Sequence, residues 1–369
     1  MFVVQVMVFL AGFALMAWTL LSAIRTVILP RSAQSALAQV VFRSVRRLFV
    51  LIAPPQRRYE YRDQVMALYA PVTLVVLVAA WLTLSTAAFT MMFWAVDTRS
   101  LGDAFHLSGS SLTTLGFAPA DTLGERILAF VESGIGLFLV ALLISYLPSL
   151  YGAFAKRESK VAMLEVRAGN PPSAVEFLIR HHTIGWLDQL DPYWLEWEAW
   201  FAEVEESHTS YPALSFFRSP DPGRSWVTAA GTVIDAAALM TAAIDAGREG
   251  PQGVCIRSGY LALRRIATFF GIAFDPDPRP DDPLSITRAE FDEAIDAMAA
   301  AGLPIKPDRD QAWRDFAGWR INYDTVLLAL AGITMAPYAP WTSDRSAPGH
   351  EQPRIRRFGR RSTERDVPA

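Results

Sequence analysis

Three stretches of the chain are almost free of polar punctuation. Residues 1–24 and 64–96 carry no charged side chain, and from Ile127 to Ala155 the only one is Glu132. A helix needs about 20 apolar residues to cross a hydrocarbon core of about 30 Å, and each stretch is long enough. A buried core helix of a soluble protein would explain any one of them alone. Three in succession point to helices that cross a membrane. After Gly169-Asn170-Pro171-Pro172 the pattern changes to amphipathic runs at 174–190, 192–206, 225–247, 253–272, 287–301 and 309–331. Several are separated by linkers rich in Pro, Gly and Asp. No alternation of period two persists, so this part is predicted to be an α-helical domain.

Charge adds a direction. Charged residues make up 19% of the chain, below the roughly 25% of soluble domains, and they are segregated. Arg25, Arg31, Arg43, Arg46, Arg47, Arg57, Arg58 and Arg62 crowd between the first two apolar stretches, against Glu60 and the adjoining Asp63. Lys156, Arg157 and Lys160 follow the third. Short loops rich in Lys and Arg stay in the cytoplasm. Both basic flanks fall on one side if the N-terminus is outside, residues 97–122 face outside and the C-terminal domain is cytoplasmic. The first stretch begins without a positive charge and is too long for the apolar centre of a signal peptide, so it is read as a retained membrane helix. A lone cysteine, Cys255, excludes an intrachain disulfide. Within the basic loop, residues 34–52 alternate apolar and arginine positions at helical spacing. They suit either an interfacial helix on anionic lipid or a helix packed on the cytoplasmic domain.

The outer loop reads DTRSLGDAFHLSGSSLTTLGFAPADT over 97–122. It is too long for a tight turn and too short to cross the bilayer twice as full helices. Irregular backbone at membrane depth survives only where protein buries it or water lines it. A short helix over about 103–112, returning as extended chain, meets that condition. The segment Thr113-Thr114-Leu115-Gly116-Phe117-Ala118 resembles the T-T-V-G-Y-G filter of tetrameric potassium channels. The stretch around it, about 65–157, resembles their outer helix, pore loop and inner helix. The resemblance implies that Thr113 and Thr114 to Ala118 line an ion path with a hydroxyl and successive carbonyls. Phe117 stands where the family has Tyr. Ala118 replaces the last filter glycine, and Asp121, which in the family follows that glycine directly, comes three residues after Ala118. Pro119 pushes Ala118 toward extended geometry, so the outermost ion site, and strict potassium selectivity with it, is not implied. One pore loop per chain implies a homotetramer.

Glu132 lies at the predicted depth of this filter. Two roles suit it: bonding the pore helix from behind through Ser110, Ser111 or the Thr113 hydroxyl, or reaching the outer interface as a snorkelling carboxylate. Gly134 and Gly136 suit close helix packing or a gating hinge. Pro148 removes a hydrogen bond inside the third helix and is expected to kink it, at the level where the family has its inner gate or simply for packing.

In the C-terminal part, Trp186, Trp194, Trp197 and Trp200 read as core or subunit interface rather than a ligand cage. The nearby Glu196, Glu198, Glu203, Glu205 and Glu206 are candidates to face the basic loop. His181, His182, Asp188 and His208 do not make a convincing metal set, because adjacent helical residues diverge by about 100°. No Walker, GxGxxG, HExxH or GxSxG motif occurs, so no enzymatic activity and no nucleotide or nucleic-acid partner is expected. The stretch from His208 to Gly231 is similar to tails of bacterial proteins grouped with two-helix-per-pore potassium channels. Arg354, Arg356, Arg357, Arg360, Arg361 and Arg365 form a polar tail, expected to be disordered and able to touch anionic lipid.

The expected fold is an all-α membrane protein. It has a first membrane helix (1–30), a basic linker (31–63), a pore domain (64–157), a helical cytoplasmic domain (158–341) and a tail (342–369). The expected function is a potassium-type channel subunit in the cell inner membrane, with potassium ions in the filter and no resident cofactor or metal. The alternatives are a nonselective cation channel, or a non-conducting membrane scaffold or enzyme with a pore-like segment.

Overall fold

A computed structural model describes residues 2–29, 35–97, 100–245 and 250–345. Those residues are helical and contain no strand. A single antiparallel bridge joins Ile244 and Ile305. The basic tail from residue 346 onward and Arg31 lie outside the described residues. The chain forms two compact units, Met1–Phe154 and Ala155–Ala369.

The first unit holds α1 (Phe2–Val27), α2 (Ala36–Ile52), α3 (Tyr59–Ala67), α4 (Tyr69–Asp97), α5 (Leu101–Leu112) and the N-terminal part of α6 (Leu123–Ala168). The helix starts are written in short polar side chains. Ser35 caps α2 by accepting from Ala38 N–H at 3.3 Å, and Ser100 caps α5 by accepting from Asp103 N–H at 3.1 Å. At α6, Thr122 accepts from Glu125 N–H at 3.3 Å while the Glu125 carboxylate accepts from Asp121 and Thr122 N–H at 2.8 and 3.2 Å. This reciprocal pattern is a capping box. Between α3 and α4 the chain turns at Leu68.

α1 packs along α4. Gly12 makes the approach possible, since an ideal Cβ there would sit 2.6 Å from the Ala88 carbonyl oxygen. Met16, Ala88, Phe89, Met92, Phe93, Ala104 and Leu107 form the shared core of α1, α4 and α5, with Leu128, Ala129 and Ile135 of α6 packed against it. α2 lays Val41, Val45 and Phe49 inward and Leu48 and Leu51 outward, and Tyr69 of α4 donates to the Phe42 carbonyl at 3.1 Å. The inward face of α2 packs on α4, a contact that neither placement expected for 34–52 names. α1, the α3–α4 segment and α6 are each long and apolar enough to cross a membrane.

The second unit contains the rest of α6 and α7 (Ala174–Thr183), α8 (Asp191–Ser210), α9 (Trp226–Ala243), α10 (Gly250–Phe269), α11 (Arg288–Ala300), α12 (Arg309–Arg320) and α13 (Asp324–Thr334). Two sequence expectations change here. The run 225–247 is not amphipathic in place: α9 is buried almost all round, with α7, α8, α10, α12 and α13 packed against it. Its Ala, Gly and Thr side chains are small enough to admit neighbours on every side. α9 also meets the length and hydropathy of a membrane span, but it is the core of this unit. The run 309–331 is two helices, broken at Ile321-Asn322-Tyr323. There Arg320 turns inward to Asp235 and Asp324.

Candidate functional site

The segment singled out in the sequence follows α5. Three consecutive amides turn back onto the end of that helix. Thr114 N–H donates to the Ser111 carbonyl at 3.0 Å, and Leu115 and Gly116 N–H both donate to the Ser110 carbonyl at 3.0 and 3.3 Å. Ala118 N–H donates to Ser110 Oγ at 3.0 Å. In a trans peptide the C=O points opposite to the N–H of the next residue. The carbonyls of Thr113, Thr114, Leu115 and Phe117 are therefore directed away from α5. Residues 113–117 are exposed in the single chain.

This orientation needs a backbone that changes hand. Thr113 is right-handed at φ −85°, Thr114 has φ 58° and Gly116 has φ 69°. Glycine enters the left-handed region without steric cost, whereas threonine does not. Thr114 is held there by its amide bond to α5, and its hydroxyl donates to the Thr113 carbonyl at 2.7 Å. Ala118 does not adopt a positive φ, as expected of a residue before proline. The Thr113 hydroxyl donates to the Gly109 carbonyl at 2.6 Å. Phe117 points its ring toward His106, with centroids 6.5 Å apart. The C-terminal, partially negative end of α5 faces this segment.

α6 braces α5 from behind. Glu132 is fully buried and pairs with Ser108, whose Oγ lies 2.5 Å from Glu132 Oε1 and 3.1 Å from the Thr86 carbonyl of α4. The expected partners Ser110, Ser111 and Thr113 are not the ones it uses. Ser108 lies one turn earlier on α5, at the depth where α6 crosses. Ser110 instead holds Ala118, and the Ser111 carbonyl accepts from Ser133 Oγ at 2.7 Å. Glu132 is thus a buried brace and not a snorkelling side chain. Gly136 lets the two helices touch, because an ideal Cβ there would lie 2.3 Å from the Leu112 carbonyl oxygen. Gly134 is exposed and nothing crowds it. α6 stays helical through Pro148.

Besides Ser108 and Ser133, two contributors escaped the sequence reading. Arg126 donates to the Ala120 carbonyl at 3.1 Å, and Glu125 ties down Asp121 and Thr122. The Thr122-Leu-Gly-Glu125 spacing carried that second signal, whereas nothing local announced Ser108 or Ser133.

In the second unit Trp194, Trp197 and Trp200 are core residues, but Trp186 is 53% exposed. The glutamates of α8 find partners within their own unit: Glu203 with Lys156 at 2.5 Å, Glu196 with Lys160 at 2.6 Å and Glu205 with Arg265 at 2.6 Å. Lys156 and Lys160 reach Glu203 and Glu196 because the C-terminal turns of α6 run beside α8. His181 and His208 are buried and spend their Nδ1 atoms on the Phe177 and Val204 carbonyls at 2.7 and 2.8 Å. No protein-family model, curated protein or solved structure matches this chain.

Proposed function

We propose that the chain is one subunit of a tetrameric cation pore of the potassium-channel type. In this reading α1, α4 and α6 span the inner membrane, and α5 and residues 113–118 form a re-entrant pore loop. The N-terminus lies outside and the second unit is a cytoplasmic assembly or regulatory domain. The permeant ion is cargo, and no resident cofactor is invoked. The observation that carries the reading is the row of carbonyls at Thr113, Thr114, Leu115 and Phe117 turned away from α5. Four such rows around an axis would replace the hydration shell of a dehydrated cation. The buried Glu132–Ser108 and Ser133–Ser111 bonds support it by fixing the loop from behind. The outward Leu48 and Leu51 of α2, beside Arg43, Arg46 and Arg47, suit an anionic lipid surface.

One observation favours relaxed selectivity. Ala118 keeps a negative φ, so the outermost carbonyl ring of a full filter is not completed by a left-handed residue. Reversal potentials of the purified protein in planar bilayers, under opposed potassium and sodium gradients, test both points. The expected result is a cation current that prefers potassium but passes sodium, and that is lost in Gly116→Ala, where a Cβ strains the left-handed backbone. Absence of current from protein whose native mass is four chains would sink the channel reading in favour of a scaffold. Full exclusion of sodium would remove only the argument from Ala118.

A further inference from the structure

The stretch Ser215-Phe-Phe-Arg218-Ser219-Pro-Asp-Pro-Gly223-Arg224-Ser225-Trp226 builds a feature that ion conduction does not use. It folds into a cleft of about 20 Å3 at the start of α9, closed on the far side by Thr334 and Ala336. By the measure in which one water needs about 10–15 Å3, the cleft admits one or two oxygen-sized groups. Among the described residues that line it there are two arginines, Arg218 and Arg224, and no carboxylate. α9, an 18-residue helix, begins in the lining of the cleft with Ser225 and Trp226, and a helix start favours negative charge.

Two serine hydroxyls make the cleft more than a helix end. Ser215 is 2% exposed and its Oγ has no hydrogen-bond partner, and neither has the buried Oγ of Ser219. Buried hydroxyls without partners are uncommon. Ser225 is already spent on the Val227 amide at 3.2 Å. Arg218 donates to the Thr334 and Met335 carbonyls at 2.9 and 3.1 Å. Arg224 uses its Nε to pair with Glu165 of α6, while its two Nη atoms make no hydrogen bond to the described residues.

We infer that this cleft binds a phosphate group through Ser215, Ser219 and Arg224 at the start of α9, and that the bound group competes with Glu165 for Arg224. The cleft takes one or two oxygens of a tetrahedral anion and leaves the rest of the anion, and of any larger molecule that carries it, outside. A free phosphate and a small phosphate monoester therefore share the chemistry. Because Glu165 belongs to α6, occupancy loosens a contact on the helix that also carries Glu132 and Gly136. The inference rests on the second unit alone and stands or falls apart from the pore reading.

The test is calorimetric titration of the full-length protein, in nanodiscs of uncharged lipid, with inorganic phosphate and separately with glycerol 3-phosphate. Saturable binding with a Kd of about 1 mM or tighter is expected for at least one probe. The probe that binds more tightly identifies the source. Arg224→Gln should weaken binding about tenfold or more, as loss of a charge-assisted contact does. Glu165→Gln should tighten it by freeing Arg224. Ser215→Ala removes only a hydroxyl, so it should weaken binding severalfold with thermal unfolding unchanged, and it keeps the test sound if Arg224→Gln fails to fold. No saturable binding of either probe up to about 10 mM would overturn the inference, leaving the serines to water. So would a Ser215→Ala protein that binds like the parent, or a Glu165→Gln protein that binds more weakly.

Discussion

The two units handle polar groups in opposite ways. In the first, the polar side chains along the apolar helices are mostly neutral and satisfied locally. Thr73, Thr83, Ser85, Thr86 and Thr90 all donate to the carbonyl four residues back on α4, at 2.6 to 3.0 Å. In the second, full charges are buried and satisfied over long distances in sequence. Arg320 reaches both oxygens of Asp235 at 2.7 and 2.8 Å, Asp324 at 2.8 Å and the Trp341 carbonyl at 2.6 Å. Arg157 reaches the Leu214 and Phe217 carbonyls at 2.9 and 2.8 Å. Surfaces differ too. α6 leaves Phe130 77% and Leu137 67% exposed within the first unit, while α9 hides nearly every side chain. The contrast teaches that apolarity alone does not say what surrounds a helix. What differs is which polar groups a helix carries: hydroxyls that close on their own helix, as along α4, or charges that need distant partners, as Glu132 of α6 and Asp235 of α9 do.

The strongest way to break the contrast is to remove Arg320. Arg320→Ala leaves Asp235 and Asp324 buried without their counter-charge, a change that costs about 3–5 kcal/mol. Thermal unfolding followed by circular dichroism should show the second unit lost or melting far earlier. A melt like that of the parent would show that the network contributes little. In the first unit the matching test is Gly136→Ala. The added methyl meets the Leu112 carbonyl, and overpacking of this kind costs about 1–3 kcal/mol. It should lower the melting temperature in detergent and disturb cation flux, whereas Gly134→Ala, which meets nothing, should leave both unchanged. Glu132→Ala, which removes the α6 end of the brace and leaves Ser108 only the Thr86 carbonyl, should cost about 1–3 kcal/mol in the same assay. Parent-like stability and current there would reduce Glu132 to a bystander.

The smallest effect expected is acid sensitivity confined to the second unit. Burial first, and the neighbouring Arg157 next, hold the His208 imidazole well below its ordinary range. It is neutral when folded, with Nδ1–H donating to Val204 and Nε2 facing Arg157 Nη1 at 3.2 Å. A depressed folded pKa means that its contribution is fully present above the unfolded value of about 6.5 and is lost as pH falls below it. Lowering the pH from about 7.5 to about 5 should therefore reduce the melting temperature, and His208→Gln should flatten that dependence. An equal acid shift in the His208→Gln protein would place the sensitivity elsewhere. Glu290 acts only in stronger acid: its bond to Arg345 brings the carboxyl down to about 2, so its share is full above the unfolded value of about 4.3 and is lost as pH falls from there toward about 2.

The long uncharged stretches were readable because a helix in an apolar setting needs a continuous run, and a run leaves a mark that no single residue does. α5 was legible from its position between two such runs, and its observed start at Leu101 differs from the expected Asp103 by only the first turn. The partner of Glu132 was not legible. Ser108, Ser110 and Ser111 all stand on α5, and only the crossing of α6 decides which hydroxyl meets a carboxylate 24 residues away. α9 was misread for a related reason. Its periodicity is weak because it is covered on all sides, and a helix without a polar face gives no hint of how many neighbours it has. The pairing of Glu203 and Glu196 with Lys156 and Lys160 likewise depends on α6 continuing past Ala155, which the sequence marks only by a change from apolar to charged residues.

Asp235 also bears on how the chain is made. It stands near the middle of α9, whose 18 residues otherwise meet the hydropathy of a membrane span, and its arginine is synthesised 85 residues later. During that interval the ribosome presents an apolar helix with nothing yet to bury it, shortly after three earlier apolar segments have been delivered. A carboxylate at the centre of a helix raises the cost of membrane insertion by about 2.5–3.5 kcal/mol. In the nascent chain Asp235 would thus oppose insertion of α9 until Arg320 arrives to neutralise it. The hypothesis predicts that Asp235→Leu sends residues 226–243 into the bilayer in a translocon insertion assay, while the parent sequence stays out; equal insertion of the two would end it. One carboxylate would then decide first on which side of the membrane boundary the helix belongs, and only later what it packs against.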